Sequence, residues 1–216
     1  MKIALIVAAG GAGKRFGQDT GKQFFLYQEK PLLIYTLEKF KQKVAQLIIA
    51  IAPQDKKTLQ DYLTRYDLTC DAIVAGGTER YDSVRNALAV LQEDITHVFI
   101  HDGARPNVSA ELLARICKEA ESYDAVVPVM PVTDTIKVIK DNTVVLTPKR
   151  ADLFAVQTPQ AFRKKTILEA YAKIDPQDCT DDAMLVEKLG VPVRAVPGEA
   201  SNIKITTKED LKFISG

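Results

Sequence analysis

The residues best suited to chemistry lie in one run, IALIVAAGGAGKRFGQDTGKQF, from Ile3 to Phe24. Gly10, Gly11 and Gly13 let the backbone come close to a ligand, so consecutive N–H groups can face an anion. Lys14, Arg15 and Lys22 surround the same loop. Bare backbone donors together with side-chain cations are what holding a polyphosphate requires. The plain alternative is a glycine turn with no ligand. Two other glycine motifs fail: a P-loop needs Ser or Thr after its Gly-Lys pair, where Arg15 stands, and a dinucleotide fingerprint starting at Gly11 needs glycine where Phe16 stands.

The apolar run Ile3 to Ala9, bounded by glycines, predicts a strand buried on both faces that delivers this loop. Beyond it the pattern alternates. A helix starts at Pro31 (LLIYTLEKF), LIIAIA at 47–52 is a second buried strand, and a helix follows Pro53 to about Tyr66. Ala72 to Ala75 is a third strand, the run ERYDSVRNALAVL a helix, and HVFIHD a fourth strand ending at Asp102. Such alternation implies an α/β fold, a mostly parallel sheet with helices on both faces, and ligands gather at the carboxyl ends of its strands. The glycine loop, Gly76-Gly77-Thr78, Asp102-Gly103-Ala104-Arg105 and the later Lys204 should all meet there.

After a helix from Ser109 to about Tyr123 and a strand from Ala125 to Val129, residues 131–150 break the rhythm. Ile136, Val138, Val144 and Leu146 alternate with polar residues about Asp141-Asn142, which predicts a β-hairpin. Its apolar side chains have little to pack on, so it is either a flap over the site or, the reading preferred here, an arm reaching a second subunit. Helices near Arg163 to Ala172 and Asp181 to Leu189, a strand at Val193 to Val196 and a final helix with a Thr206/Glu209 capping box close the chain.

Composition narrows the class. With 216 residues, 46% hydrophobic and 26% charged, the chain suits one domain, and no repeat or linker divides it. A formal net charge of +1 offers no general attraction to nucleic acid or anionic membrane, so anion binding must be local. Cys70, Cys117 and Cys179 are odd in number and widely spaced, and the histidines number two, which argues against a disulfide framework or a zinc site and for a cytoplasmic protein. The apolar run after Lys2 is at the short limit for a signal peptide, and cleavage there would remove the glycine loop. No apolar stretch approaches the ~20 residues of a membrane span.

Read in order, AGGxGxRFG at Ala9 to Gly17, GKQF at Gly21 to Phe24, GGTERYDSV at Gly76 to Val84, HDGARP at His101 to Pro106, TDTIK at Thr133 to Lys137, TPKR at Thr147 to Arg150, TPQAF at Thr158 to Phe162, TDDA at Thr180 to Ala183 and SNIKIT at Ser201 to Thr206 resemble the 2-C-methyl-D-erythritol 4-phosphate cytidylyltransferases. The resemblance runs nearly the whole chain, and the order of the motifs makes it specific. It implies a three-layer nucleotidyltransferase fold, Rossmann-like, and a homodimer with interlocked arms. It also implies use of CTP with Mg2+ to make a CDP-linked methylerythritol for the non-mevalonate route to isoprenoids. Ala9, Gly10, Gly11, Gly13, Lys14, Gly77, Thr78 and Ser83 match the CTP site. Arg15 and Lys22 match the two loop cations acting at the α-phosphorus. Asp102, Arg105, Thr180 and Lys204 match the sugar-phosphate pocket, and Thr135 and Arg150 match residues that the family's partner subunit supplies. Arg15, Lys22, Arg150 and Lys204 are thus the catalytic cations. Mg2+ would be held mainly by the phosphates of CTP, with Asp102 as a candidate ligand.

Two departures stand out. Gly10 occupies a position where the family usually has alanine, and Gly21 one where it usually has proline. Gly10-Gly11 is shared with the related pentitol-phosphate cytidylyltransferases, whereas HDGARP and SVRNAL favour the methylerythritol enzymes. The chemistry fits either: a phosphate monoester oxygen displaces pyrophosphate at phosphorus, which takes alignment and cations and no covalent nucleophile. Ribitol 5-phosphate or another alditol phosphate is therefore the rival acceptor. A non-catalytic nucleotide sensor and, more remotely, a dehydrogenase are the rivals in kind.

Overall fold

In this computed structural model the described residues are 1–11 and 21–214. Gly13, Lys14 and Arg15 lie outside them. In chain order the elements are β1 (Ile3–Ala8), β2 (Leu26–Tyr27), β3 (Lys30–Pro31), α1 (Leu32–Glu38), β4 (Gln46–Ile51), α2 (Lys56–Arg65), β5 (Ala72–Ala75), α3 (Arg80–Leu88), β6 (His97–Asp102) and α4 (Ala110–Ala120). Then come β7 (Ala125–Pro131), β8 (Val138–Lys140), β9 (Thr143–Leu146), β10 (Phe154–Val156), β11 (Gln160–Arg163), α5 (Lys164–Lys173), α6 (Asp182–Lys188) and β12 (Arg194–Pro197).

The main sheet runs β10-β7-β11-β6-β1-β4-β5, and β12 pairs with β7. β1 is parallel to both β6 and β4, and β4 to β5, as the alternation requires. Successive β1 side chains feed opposite faces: Leu5 and Val7 pack with α1, α2 and α4, while Ala4 and Ile6 pack with residues of α3, α5 and α6. Each Leu, Ile or Val side chain so buried contributes roughly 1.5–3 kcal/mol. The result is a three-layer α/β fold with a mostly parallel sheet.

Departures from the sequence reading have local causes. β10 and β11 were not foreseen; they are short and antiparallel, pairing with successive stretches of β7 on either side of a cis Thr158–Pro159 bond. The closing helix is a 3-10 turn, Glu209–Phe213, and its start is held by Asp210. The Asp210 carboxylate accepts from the Thr206 N–H (2.7 Å), the Thr206 hydroxyl (3.0 Å) and the Thr207 N–H (2.8 Å), so the expected Thr206/Glu209 capping box gives way to an acid one residue later. The hairpin forms as expected: β8 pairs with β9, and Asp141 and Asn142 take φ of 46° and 59° in the left-handed region. Its apolar side chains lie in solvent, among them Ile139 (59% exposed) and Leu146 (57%), and Phe154 beyond it is half exposed.

Candidate active site

The carboxyl ends of β1, β5 and β6 open on one cleft of about 480 Å³. Its walls are Ala9, Gly10 and Gly11 from the first loop, Gly77, Thr78 and Ser83 from the start of α3, Asp102 to Ala104 after β6, and Lys22, Lys204 and Thr206 opposite. Nine residues from the sequence-derived list thus share one cavity, Ala9, Gly10, Gly11, Lys22, Gly77, Thr78, Ser83, Asp102 and Lys204, and a tenth, Arg105, pairs with Asp102 from behind it.

The glycine-rich side is set by close backbone approach. A Cβ on Gly77 would lie 2.0 Å from the Asp82 Cβ, so only glycine fits the turn. The Gly77 N–H donates to the Ser83 hydroxyl at 3.0 Å, and Glu79 and Asp82 cap α3 reciprocally. Gly10 behaves differently. An added Cβ there meets its nearest atom, the Gly76 Cα, at 3.5 Å, an ordinary contact, so the alanine usual in the family would fit without reshaping the cleft.

The far side is built on charge. Asp102 ends β6 with its side chain 10% exposed. Lys204 Nζ approaches its Oδ2 at 2.9 Å, Arg80 Nε its Oδ1 at 3.3 Å, and Arg105 Nε lies 3.6 Å from Oδ2. Burial alone would raise the Asp102 carboxyl, but Arg80, then Lys204 and Arg105, hold it well below the usual carboxylate range, so it is anionic at neutral pH. Lys22 reaches across to donate to the Ile205 carbonyl at 2.7 Å, one residue from Lys204.

The motifs after β6 brace this arrangement through a relay. The Asp102 N–H donates to the Thr158 hydroxyl (3.1 Å), which in turn donates to His101 Nδ1 (3.0 Å), and His101 Nε2–H donates to the Arg105 carbonyl (3.1 Å). The Arg105 carbonyl can only accept, which places a proton on Nε2, and neutral imidazole leaves Nδ1 to accept from Thr158. Burial pushes the His101 pKa down to about 4, in keeping with that state. Arg105 Nη1 donates to the Asn202 carbonyl at 2.8 Å, and Asn202 Nδ2 to the Thr158 carbonyl at 2.9 Å, which ties the segment carrying Lys204 to the same frame. His97 is a core residue whose Nε2 meets the Ala120 carbonyl at 3.1 Å.

Three expected residues stand apart. Thr180 is exposed, although its neighbour Asp181 is fixed by Gln160 Nε2 at 2.7 Å and caps α6. Thr135 and Arg150 lie on the exposed arm, and none of the described lining residues comes from 131–150. Within this chain the arm is therefore not a flap over the cleft. Arg150 Nη1 meets the Thr133 carbonyl at 2.9 Å. Sequence reading overlooked Arg80, although it sits inside the quoted GGTERYDSV run, along with the supporting roles of His101, Thr158 and Asp182.

Among the described residues no group of three His, Cys, Asp or Glu side chains converges, and Asp102 has three cations around it, which disfavours it as a ligand for a dication.

Residues 3–215 match the family model described as 2-C-methyl-D-erythritol 4-phosphate cytidylyltransferase (IspD). Proteins of that name from Syntrophus aciditrophicus and Clostridium botulinum are 41% and 43% identical to this chain; each alignment covers 97% of it, and 93% and 96% of the relative. The crystal structure of 4-diphosphocytidyl-2C-methyl-D-erythritol synthase from Anaerococcus prevotii superposes with a TM-score of 0.84 at 32% identity, covering 98% of this chain and 95% of that one. A Thermus thermophilus structure named as the cytidylyltransferase gives 0.79, also at 32% identity, covering 98% of this chain and 96% of its own. With the family model, the near-full-length relatives and the fold in agreement, the chain belongs to the 2-C-methyl-D-erythritol 4-phosphate cytidylyltransferase family.

Proposed function

We propose that the chain transfers CMP from CTP to 2-C-methyl-D-erythritol 4-phosphate, releasing pyrophosphate and forming 4-diphosphocytidyl-2-C-methyl-D-erythritol, a step in isoprenoid precursor synthesis. The observation that carries this reading is the anionic Asp102, held among three cations and facing the glycine-walled side of the cleft. The base and ribose of CTP lie against Gly77, Thr78 and Ser83, and the triphosphate runs along Ala9, Gly10 and Gly11 toward Lys22, with Gly13, Lys14 and Arg15 completing the loop.

The acceptor's monoester oxygen attacks the α-phosphorus. One P–O bond forms, the bond to the bridging oxygen of pyrophosphate breaks, and pyrophosphate leaves with the electron pair. Lys22 and Arg15 stabilise charge as it builds on the phosphoryl oxygens. The Asp102 oxygens keep lone pairs to accept from acceptor hydroxyls, while Arg105, Lys204 and Thr180 fix the rest of the acceptor. The phosphates of CTP would hold Mg2+, which would supply charge neutralisation at the triphosphate.

The chain works as one nucleotidyltransferase domain, with the arm at about 131–150 serving a homodimer. The exposed apolar side chains of the arm support this, and Thr135 and Arg150 then complete the partner's site. A cytoplasmic setting suits the three cysteines, none of which is paired. No described helix is long and apolar enough to cross a membrane. The test is CTP-dependent pyrophosphate release with a panel of sugar and alditol phosphates, the nucleotide product identified by mass. Release without an acceptor, or none with methylerythritol phosphate, refutes the reading.

A further inference from the structure

Arg80 is the first residue of α3 and lines the cleft next to the Gly77-Thr78-Glu79 turn. Its guanidinium spans two acids: Nε lies 3.3 Å from Asp102 Oδ1 and Nη1 lies 2.7 Å from Asp182 Oδ2. Asp182 is 1% exposed and lies behind the cleft wall. Its other oxygen accepts from the Tyr171 hydroxyl at 2.6 Å, and the Tyr171 ring stacks on Tyr81 at 4.6 Å with 3° between planes. The rear of the guanidinium is thus gripped by a buried acid that is itself held by a packed tyrosine pair.

We propose that Arg80 is a positioning residue: anchored by Asp182, it sets the orientation of the Asp102 carboxylate and so the placement of the acceptor against the α-phosphorus. The inference rests on the reading of the cleft given above. A planar fork can serve two carboxylates in fixed directions, which the point charge of lysine cannot. Stability is a poor rationale for the bridge, because a buried ion pair loses in desolvation much of what it gains in attraction. Because Arg80 follows Thr78 and Glu79 in the chain, the proposed nucleotide turn and the group that orients Asp102 are contiguous.

Steady-state kinetics with each substrate varied decide the matter. Arg80→Lys should raise the acceptor KM about tenfold and leave the KM for CTP within about twofold. Asp182→Asn alters no group on the cleft wall, yet it should raise the acceptor KM at least about threefold. The double variant should then be little worse than Arg80→Lys alone, as for residues acting in series. Equal changes in both KM values, or full additivity, would overturn the proposal. Crystal structures give a readout independent of turnover: in Asp182→Asn the Asp102 carboxylate should shift by about 1 Å or rotate, enough to loosen a site. An unmoved Asp102 overturns the proposal even where kinetics change. A wild-type protein that fails to turn over strikes the functional reading instead, and the crystal comparison still decides the role of Arg80.

Discussion

The end of β6 and the arm at 131–150 both carry residues assigned to the acceptor, yet they are built in opposite ways. Around Asp102 every charge has a counter-charge on the same chain, and the backbone is tied down by His101 and Thr158. On the arm Arg150 Nη1 donates to the Thr133 carbonyl at 2.9 Å, and Ile139, Val144, Val145 and Leu146 face solvent. The cluster at the end of β6 is tied together within the chain, whereas the arm leaves its apolar side chains in solvent, where the proposed homodimer would cover them.

The sharpest way to break this contrast is at its charged centre. Asp102→Ala leaves Arg80, Arg105 and Lys204 without their shared acid, and should lower kcat/KM for the acceptor about 10³-fold, about 4 kcal/mol, with far less change in CTP binding. A loss divided equally between the two substrates would show that Asp102 holds the cleft together rather than reading the acceptor.

Next in size is a pH effect confined to the braced half. His101 is neutral when folded and its pKa, about 4, lies below the unfolded value of 6.5. The unfolded chain therefore binds this proton more readily, so stability is full above about 6.5 and falls as pH drops toward 4. Urea unfolding should show a loss of about 2 kcal/mol between about pH 7 and pH 4.5. His97, also pushed down by burial, acts in the same direction. A flat profile over that window would mean that His101 is not held neutral.

The arm is tested by complementation. Arg150→Ala and Lys204→Ala homodimers should each be weak, while a one-to-one mixture allowed to exchange subunits should recover roughly a quarter of wild-type activity, because half the dimers are mixed and one site in each is intact. No recovery, or a fully active monomer in sedimentation, would remove the arm from the site.

The smallest effect is expected at Gly10. Because a Cβ there makes only ordinary contacts, Gly10→Ala should change kcat/KM for either substrate by less than about threefold. A larger change, or a swing toward pentitol phosphates, would make Gly10 a determinant of the acceptor.

Much of this was legible from the residues. Buried strands such as IALIVA and HVFIHD read clearly because both faces are apolar, and parallel order followed from the intervening helices. The convergence of Gly77, Asp102 and Lys204 on one cleft followed from that order. β10 and β11 were not legible, since three- and four-residue strands carry too little periodicity and take their register from neighbours, β7 for β10 and β6 with β7 for β11. Asp210 displaced Glu209 as the turn's acceptor because which of two adjacent acids turns inward depends on tertiary packing. Arg80 escaped notice for a similar reason: nothing local to GGTERYDSV places Asp182, 102 residues away, behind its guanidinium.

In the proposed reaction the Asp102 frame reads the hydroxyls of a methyl-branched tetritol phosphate. The most direct measurement is kcat/KM for methylerythritol 4-phosphate against ribitol 5-phosphate, with CTP saturating, in the wild type and in Asp102→Asn. A buried carboxylate left without its hydroxyl is costly, so the wild type should favour methylerythritol phosphate by at least ~100-fold, about 2.7 kcal/mol, and Asp102→Asn should shrink that ratio. Comparable values for the two acceptors in the wild type, or a ratio untouched by Asp102→Asn, would contradict the account.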